Sequence, residues 1–353
     1  MWYTYGQMKS ADPEFSVRMV KIVIRCAIGL VMFSYAPLAH ALEVFPFYTV
    51  NQSPLVQIYG LPAADNAILL PKGKIRSMLS VDIANNFGVD QNPREQITLD
   101  GESYRVLLGF RYGVAKGIEA GIDIPYLDYN GGFLDYIVQG FHSTFGITEG
   151  GRDNAQKSRL LFQYARNGVD QFKITHANSG VGDIRLLGGI QLYDDEKPNP
   201  RALALRGSLK LPSGYSPELQ GSGSTDFALW LTGSDDYRLG SGHFTLFGAV
   251  GGLAMSRGDV LPAQQRNLVA FGTAGFGWSP GRDLAVKAQA NAHTSFYKDS
   301  NLIELNSGSV QVMIGTTVAL PAKILMDFAI IDDLVLISSS PDIVYQFAFR
   351  RDF

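Results

Sequence analysis

From Lys74 to the C-terminus the chain alternates apolar residues with polar or small ones in segments of roughly ten, the period of strands with two unlike faces. Ile75, Ser77, Leu79, Val81 and Ile83 share one face, and Arg76, Met78, Ser80, Asp82 and Ala84 share the other. Tyr104, Val106, Leu108, Phe110 and Tyr112 then oppose Arg105, Leu107, Gly109, Arg111 and Gly113. Ile118, Ala120, Ile122, Ile124 and Tyr126 oppose Glu119, Gly121 and Asp123. The pattern recurs near 181–193, 202–212, 225–234, 243–254, 267–278, 284–296, 308–319, 324–332 and 342–353, which makes twelve segments. Leu160–Tyr164 and Phe172–Thr175 flank Arg166-Asn167-Gly168, a tight-turn signal. If that hairpin crosses a membrane the count becomes fourteen. The number stays even in both cases.

A soluble sandwich would alternate in the same way. Two features favour a membrane barrel. Short connections (114–117, 194–201, 234–242, 279–283, 321–323) alternate with long ones (88–102, 128–180, 213–224, 255–266, 297–307, 333–341), as periplasmic turns alternate with extracellular loops. The chain also ends on a strand: Ile343, Tyr345, Phe347, Phe349 and Phe353 alternate up to the last residue, broken only at Arg351. Strands in lipid must pair every backbone group, so the sheet has to close. The expected fold is therefore all-β, a transmembrane antiparallel β-barrel of twelve strands, or fourteen. A three-residue turn at 114–116 would set Arg111 opposite Glu119. Phe133, Leu134, Ile137, Val138, Phe141 and Phe145 recur at helical spacing and predict a short helix in the 128–180 loop. It would pack on the rim, or act as a lid or surface anchor.

The beginning of the chain is different. Lys21 and Arg25 precede an apolar run from Cys26 to Leu38, and Ala39-His40-Ala41 fits a small-x-small cleavage site. Residues 1–41 are expected to be upstream residues plus a removable leader that starts at Met19. Residues 42–73 do not alternate, because Phe45-Pro46-Phe47, Asn51-Gln52-Ser53-Pro54 and Gly60-Leu61-Pro62 break any long strand. They form either a periplasmic segment or a plug folded into the lumen, and residues 74–353 form the barrel. The one cysteine, Cys26, leaves with the leader. The remaining chain has 26 basic and 31 acidic residues, net −5, with no basic footprint for nucleic acid. The expected location is the outer membrane of a Gram-negative bacterium. The expected partners are its lipid and lipopolysaccharide, small solutes, and the barrel assembly machinery through Phe353.

Candidate chemistry lies on the polar face. Arg76, Arg105, Arg111, Glu119, Asp123, Asp183, Arg185, Arg206, Lys287, Gln289, Asn291 and His293 are expected to line the lumen, with Asp82, Lys210 and Asp226 alongside. They are either a paired polar core filling a narrow interior or the wall of a small selective pore. No clustered His or Cys suggests a metal. The glycine-rich stretches at 248–252 and 272–277 lie in strands, with no helix following to make a phosphate loop, and no cofactor is implied. Some barrels are hydrolases with a His-x-Ser pair on one strand face. Here His293 and Ser295 have that spacing, whereas Ser179 lies three residues after His176, with Asn178 in the i+2 place.

Several short runs carry a family likeness: Asn51-Gln52-Ser53-Pro54-Leu55 with Gly60-Leu61-Pro62, and Gly132-Phe133-Leu134-Asp135 with Gly140-Phe141-His142. Gly150-Gly151-Arg152-Asp153, Ser179-Gly180-Val181-Gly182-Asp183 and Lys210-Leu211-Pro212-Ser213-Gly214 complete the set. Together they resemble a family of proteobacterial outer-membrane barrels defined only as a domain of unknown function, over nearly all of the chain past the leader. The last two runs also resemble outer-membrane transporters of phenol-degradation pathways. Neither likeness implies catalytic residues. The function expected is a passive channel or transporter for small solutes, hydrophobic ones included, with the 128–180 loop as a lid. The alternatives are a structural or surface barrel with a closed lumen, and a hydrolase at His293–Ser295 or His176.

Overall fold

In a computed structural model, the described residues are 42–134, 158–195, 197, 200–240, 242–333 and 339–353. The leader, and the predicted helix beyond Leu134, lie outside them. In chain order the strands are β1 (Ile75–Gln91), β2 (Glu95–Ala115), β3 (Ile118–Asn130), β4 (Leu161–Arg166), β5 (Val169–Ile174), β6 (Asn178–Val181), β7 (Arg185–Asp194) and β8 (Arg201–Lys210). They continue with β9 (Asp226–Leu239), β10 (Gly242–Met255), β11 (Leu268–Ser279), β12 (Leu284–His293), β13 (Ser309–Leu320), β14 (Ile324–Asp333) and β15 (Ile343–Asp352). A one-turn helix, α1 (Ile303–Asn306), sits in the loop between β12 and β13.

Neighbouring strands pair antiparallel from β7 through β15 to β1, then β1 with β2, β2 with β3, and β3 back to β7. Among the described residues, twelve strands thus close a cylinder. The hairpin β4–β5 does not cross with them. It pairs with Glu95–Asp100 of β2, beyond the stretch of β2 that meets β3. Asn167 and Gly168 have positive φ at its tip, as the Asn-Gly signal requires. β6 pairs with Tyr126–Tyr129 of β3 at the same end.

The two faces follow the sequence alternation. Leu108, Phe110, Tyr112, Leu229 and Leu231 point outward, and Arg105, Arg111, Asp123 and Arg206 are buried. Outward aromatics mark both rims: Tyr112, Tyr193, Tyr237 and Phe276 near the short turns, and Tyr126 and Phe227 near the loops. No described helix is long and apolar enough to cross a membrane. Arg351 is exposed, and its guanidinium covers the Phe353 ring at 4.6 Å. The break in the C-terminal apolar face is therefore a rim residue whose charge reaches out over its neighbour.

Three local expectations are corrected. Arg111 pairs with Gly121, and Glu119 with Gly113. The turn is shorter than three residues, because Gly117 adopts φ +71 and a bulge between Gly113 and Ala115 shifts the register. Residues 88–102 are not a loop. β1 and β2 run on as a hairpin to Gln91 and Glu95. Likewise β9 and β10 extend to Leu239 and Gly242, leaving a two-residue turn.

Candidate functional site

Eight strands enclose an interior that side chains alone can fill. Twelve enclose more, and here a stretch of main chain takes up the surplus. Residues 44–70 lie nearly all buried inside the cylinder, without a strand partner. An irregular segment removed from water must still satisfy its N–H and C=O groups. The barrel wall supplies the partners.

The segment starts at the short-turn end, where the Leu42 nitrogen meets Ser279 Oγ and Gly281 O of the β11–β12 turn. Rising, Phe45 O accepts from Lys287 Nζ at 3.0 Å, and Phe47 exchanges both its backbone groups with the Gln289 amide. Tyr48 O accepts from Gln346 at 2.7 Å. At the top, Asn51 Nδ2 donates to Ser339 O and lies 2.9 Å from His293 Nε2. The chain then turns, and Tyr297 donates its hydroxyl to Leu55 O. Descending, Gly60 N donates to Asp226 at 2.7 Å, in a contact so close that an added Cβ would lie 2.8 Å from that of Asp226. Arg185 donates to Tyr59 O and Leu61 O, both at 3.0 Å, and Arg206 donates twice to Asn66 O. Leu69 N and Leu70 N end on Gln191 and Glu119 before β1 begins.

Ion pairs within the wall hold these donors in place. Arg111 bonds Asp123 at 2.8 Å and Arg206 bonds Glu119 at 2.8 Å. Lys287 bonds Asp327 at 2.8 Å, and Lys210 bridges Asp183 and Asp226. Lys287 also lies 3.9 Å from the centre of the Phe47 ring. Towards the loops the interior becomes apolar. Tyr59 stacks on Phe296 with centroids 5.0 Å apart and meets Tyr297 edge-on, while Trp230 meets Phe271. Val56, Leu219, Leu261, Leu302 and Leu305 join that cluster, which caps the top of the segment. Towards the short turns Phe45, Tyr48, Asp65, Arg76, Arg111 and Arg350 enclose a cavity of about 20 Å³, room for about one water.

Of the residues predicted to line the lumen, Arg105, Arg111, Glu119, Asp123, Asp183, Arg185, Arg206, Lys287, Gln289 and His293 are buried on the inner face. Asn291 is half-buried and accepts from Thr273. Arg76 stands at the short-turn rim in a two-pronged pair with Asp352. Sequence reasoning missed Asp327, Gln346 and Arg350, which occupy inward positions on β14 and β15. Extending the two-residue alternation through those strands would have found them. It also missed Tyr48 and Asn51, for which no periodic signal exists.

The hydrolase geometry is not assembled. Ser295 donates to Tyr297 O and Leu305 O, and the His293 nitrogens meet Asn51 and Thr294 O instead. His176 is exposed beside Glu218.

Among solved structures, an outer membrane channel from Pseudomonas putida F1 shares the fold, with a TM-score of 0.53 and 10% identity over 82% of this chain and 98% of that one. The Pseudomonas putida toluene transporter TodX aligns over 89% of this chain and 98% of its own at 10% identity, with a TM-score of 0.33. The Ralstonia pickettii toluene transporter TbuX aligns over 92% and 100% at 11% identity, with a TM-score of 0.34. Among curated proteins, none matches the sequence. Residues 22–353 match the profile of the family described as Protein of unknown function (DUF3187), and the chain belongs to that family.

Proposed function

We propose that the protein is an outer-membrane channel for small solutes, closed at rest by its own residues 42–70. One observation carries this reading: between its first residue and its junction with β1, the inner segment is held to the wall by side-chain hydrogen bonds, with no strand pairing among the described residues. Arg185, Arg206, Lys287, Gln289 and Gln346 all donate to its carbonyls. Water can replace bonds of that kind one at a time, so the segment can leave the lumen without opening the barrel. The vacated wall would then be polar and wet below, with aromatic side chains above, a path suited to small and partly apolar solutes. The fold shared with a solved outer membrane channel agrees with this reading. The outward belt would face lipid and lipopolysaccharide, and Phe353 would engage the assembly machinery during insertion.

A permanently closed structural barrel is the second reading, favoured by how completely the interior is filled. The chain past residue 41 contains no cysteine, so a pair can be introduced cleanly. A Cβ on Gly277 would lie 2.5 Å from Val44 Cγ1, which places these two positions within disulfide reach. In planar bilayers the Val44→Cys/Gly277→Cys protein is expected to conduct when reduced and to fall silent when oxidised. Silence in both states, shared by the parent protein under every applied voltage, would favour the structural barrel.

A further inference from the structure

The Leu42 nitrogen lies 2.8 Å from Gly281 O and 2.9 Å from Ser279 Oγ, both in the turn between β11 and β12. A peptide nitrogen has one hydrogen and must split it between two such acceptors. An ammonium has three, and both distances fall in the range of charge-assisted bonds. The residue before it ends the small-x-small run Ala39-His40-Ala41.

We propose that the mature chain begins at Leu42, and that its α-ammonium is bound by the β11–β12 turn and pins the inner segment in the lumen. Hydrolysis of the Ala41–Leu42 bond by a leader peptidase adds one water. It leaves a carboxylate on Ala41 and the ammonium on Leu42. Closure of the barrel is then coupled to processing, because the charge and the additional N–H donors exist only after cleavage.

The neighbouring geometry supports an anchor at this point. Ser279 is fully buried, and its hydroxyl has carbonyls to donate to within the turn, Gly281 O at 2.6 Å and Leu284 O at 3.1 Å, which leaves its lone pairs to accept from the nitrogen. Val44 fits against Gly277, where a Cβ would lie 2.5 Å away. The guanidinium groups of Arg76 and Arg350 both lie over the Phe45 ring, at 4.7 and 4.0 Å from its centre. The rising limb is thus gripped from its first residue.

This inference rests on reading residues 42–70 as the element that closes the lumen, but its test does not require conductance. Protein exported and processed in cells is purified in detergent, its intact mass is measured, and hydrogen exchange is followed over residues 43–50. The mass is expected to place the N-terminus at Leu42. Inserting Gly-Ser between Ala41 and Leu42 shifts the ammonium two residues away and leaves the barrel unaltered. Exchange at 43–50 is then expected to quicken roughly ten-fold, the scale of one bond to a charged group. Ser279→Ala, which keeps the Gly281 carbonyl, is expected to show a smaller increase of the same sign. A mass placing the N-terminus elsewhere, or equal exchange in parent and insertion variant, would overturn the proposal. A barrel that never conducts but shows the ten-fold change would leave the anchor standing and remove only the channel.

Discussion

Tyr48 donates its hydroxyl to Asp123 at 2.6 Å and accepts from Arg111 at 2.5 Å, so a side chain of the inner segment completes an ion pair of the wall. Arg111 and Asp123 also bond each other directly at 2.8 Å. The pair therefore outlasts loss of the hydroxyl, whereas the segment loses an attachment that uses both lone pair and proton.

Tyr48→Phe is accordingly expected to loosen the segment and spare the barrel. Losing a buried bond to charged partners costs about 1–3 kcal/mol. Hydrogen exchange over residues 42–70 should accelerate while that of β9 to β12 stays unchanged. Acceleration spread evenly over strands and segment would show instead that the segment and barrel unfold as one unit.

Arg185→Met tests the carbonyl donors. Arg185 is buried, forms no ion pair among the described residues, and donates its two terminal nitrogens to Tyr59 O and Leu61 O. Methionine fills similar space but strands both carbonyls, at about 1–3 kcal/mol each. If the segment is the gate, opening events in bilayers should become at least about ten-fold more frequent. Arg185→Lys, able to satisfy one carbonyl, should fall between. Identical opening statistics in all three proteins would remove Arg185 from the closing mechanism.

Strand count and facing were legible in the sequence because each strand writes its environment every second residue, lipid on one side and interior on the other. Asp327 and Arg350 obey the same rule, each buried at an inward position of the alternation. Register was less legible. Whether Arg111 meets Glu119 or Gly121 depends on one bulge and on the positive φ of Gly117, and neither leaves a periodic mark. What the wall charges bind was not legible at all. Arg206 finds Asn66 O, and Lys287 finds Phe45 O, across the lumen from an aperiodic segment distant in sequence. Hydrogen-bond need predicts that partners exist, and only the fold names them.

The outward face makes its own prediction. Leu231 lies near the middle of β9 and Leu239 at its short-turn end, and both are exposed. Arginine at a lipid-facing site costs about 2–4 kcal/mol at the bilayer midplane and about 0–1 near the interface. Leu231→Arg should therefore destabilise the barrel in liposomes far more than Leu239→Arg, measured by reversible denaturant unfolding. Equal costs would mean that the membrane band does not sit where the aromatic rims place it.

The loop end should respond to pH through Glu304 of α1. Burial first, then the carboxylates of Asp342, Asp90 and Asp333, push its carboxyl up from 4.5 to about 7. The group thus holds its proton more tightly when folded than when unfolded. Its stabilising contribution is complete below pH 4.5, declines as pH rises, and is lost once pH passes about 7. Glu304→Gln imitates the protonated form at every pH. Parent and variant should melt together at pH 4, and the variant should melt increasingly higher as pH climbs towards 7.5. The effect should also reach the inner segment, because Ser339 donates to Glu304 O and accepts from Asn51 at the top of that segment. Exchange at residues 50–53, corrected for its intrinsic pH dependence, should rise over the same interval in the parent and stay flat in Glu304→Gln. A gap in melting temperature that is already present at pH 4, or that never opens, would assign the loop's stability to packing around α1 and not to the proton on Glu304.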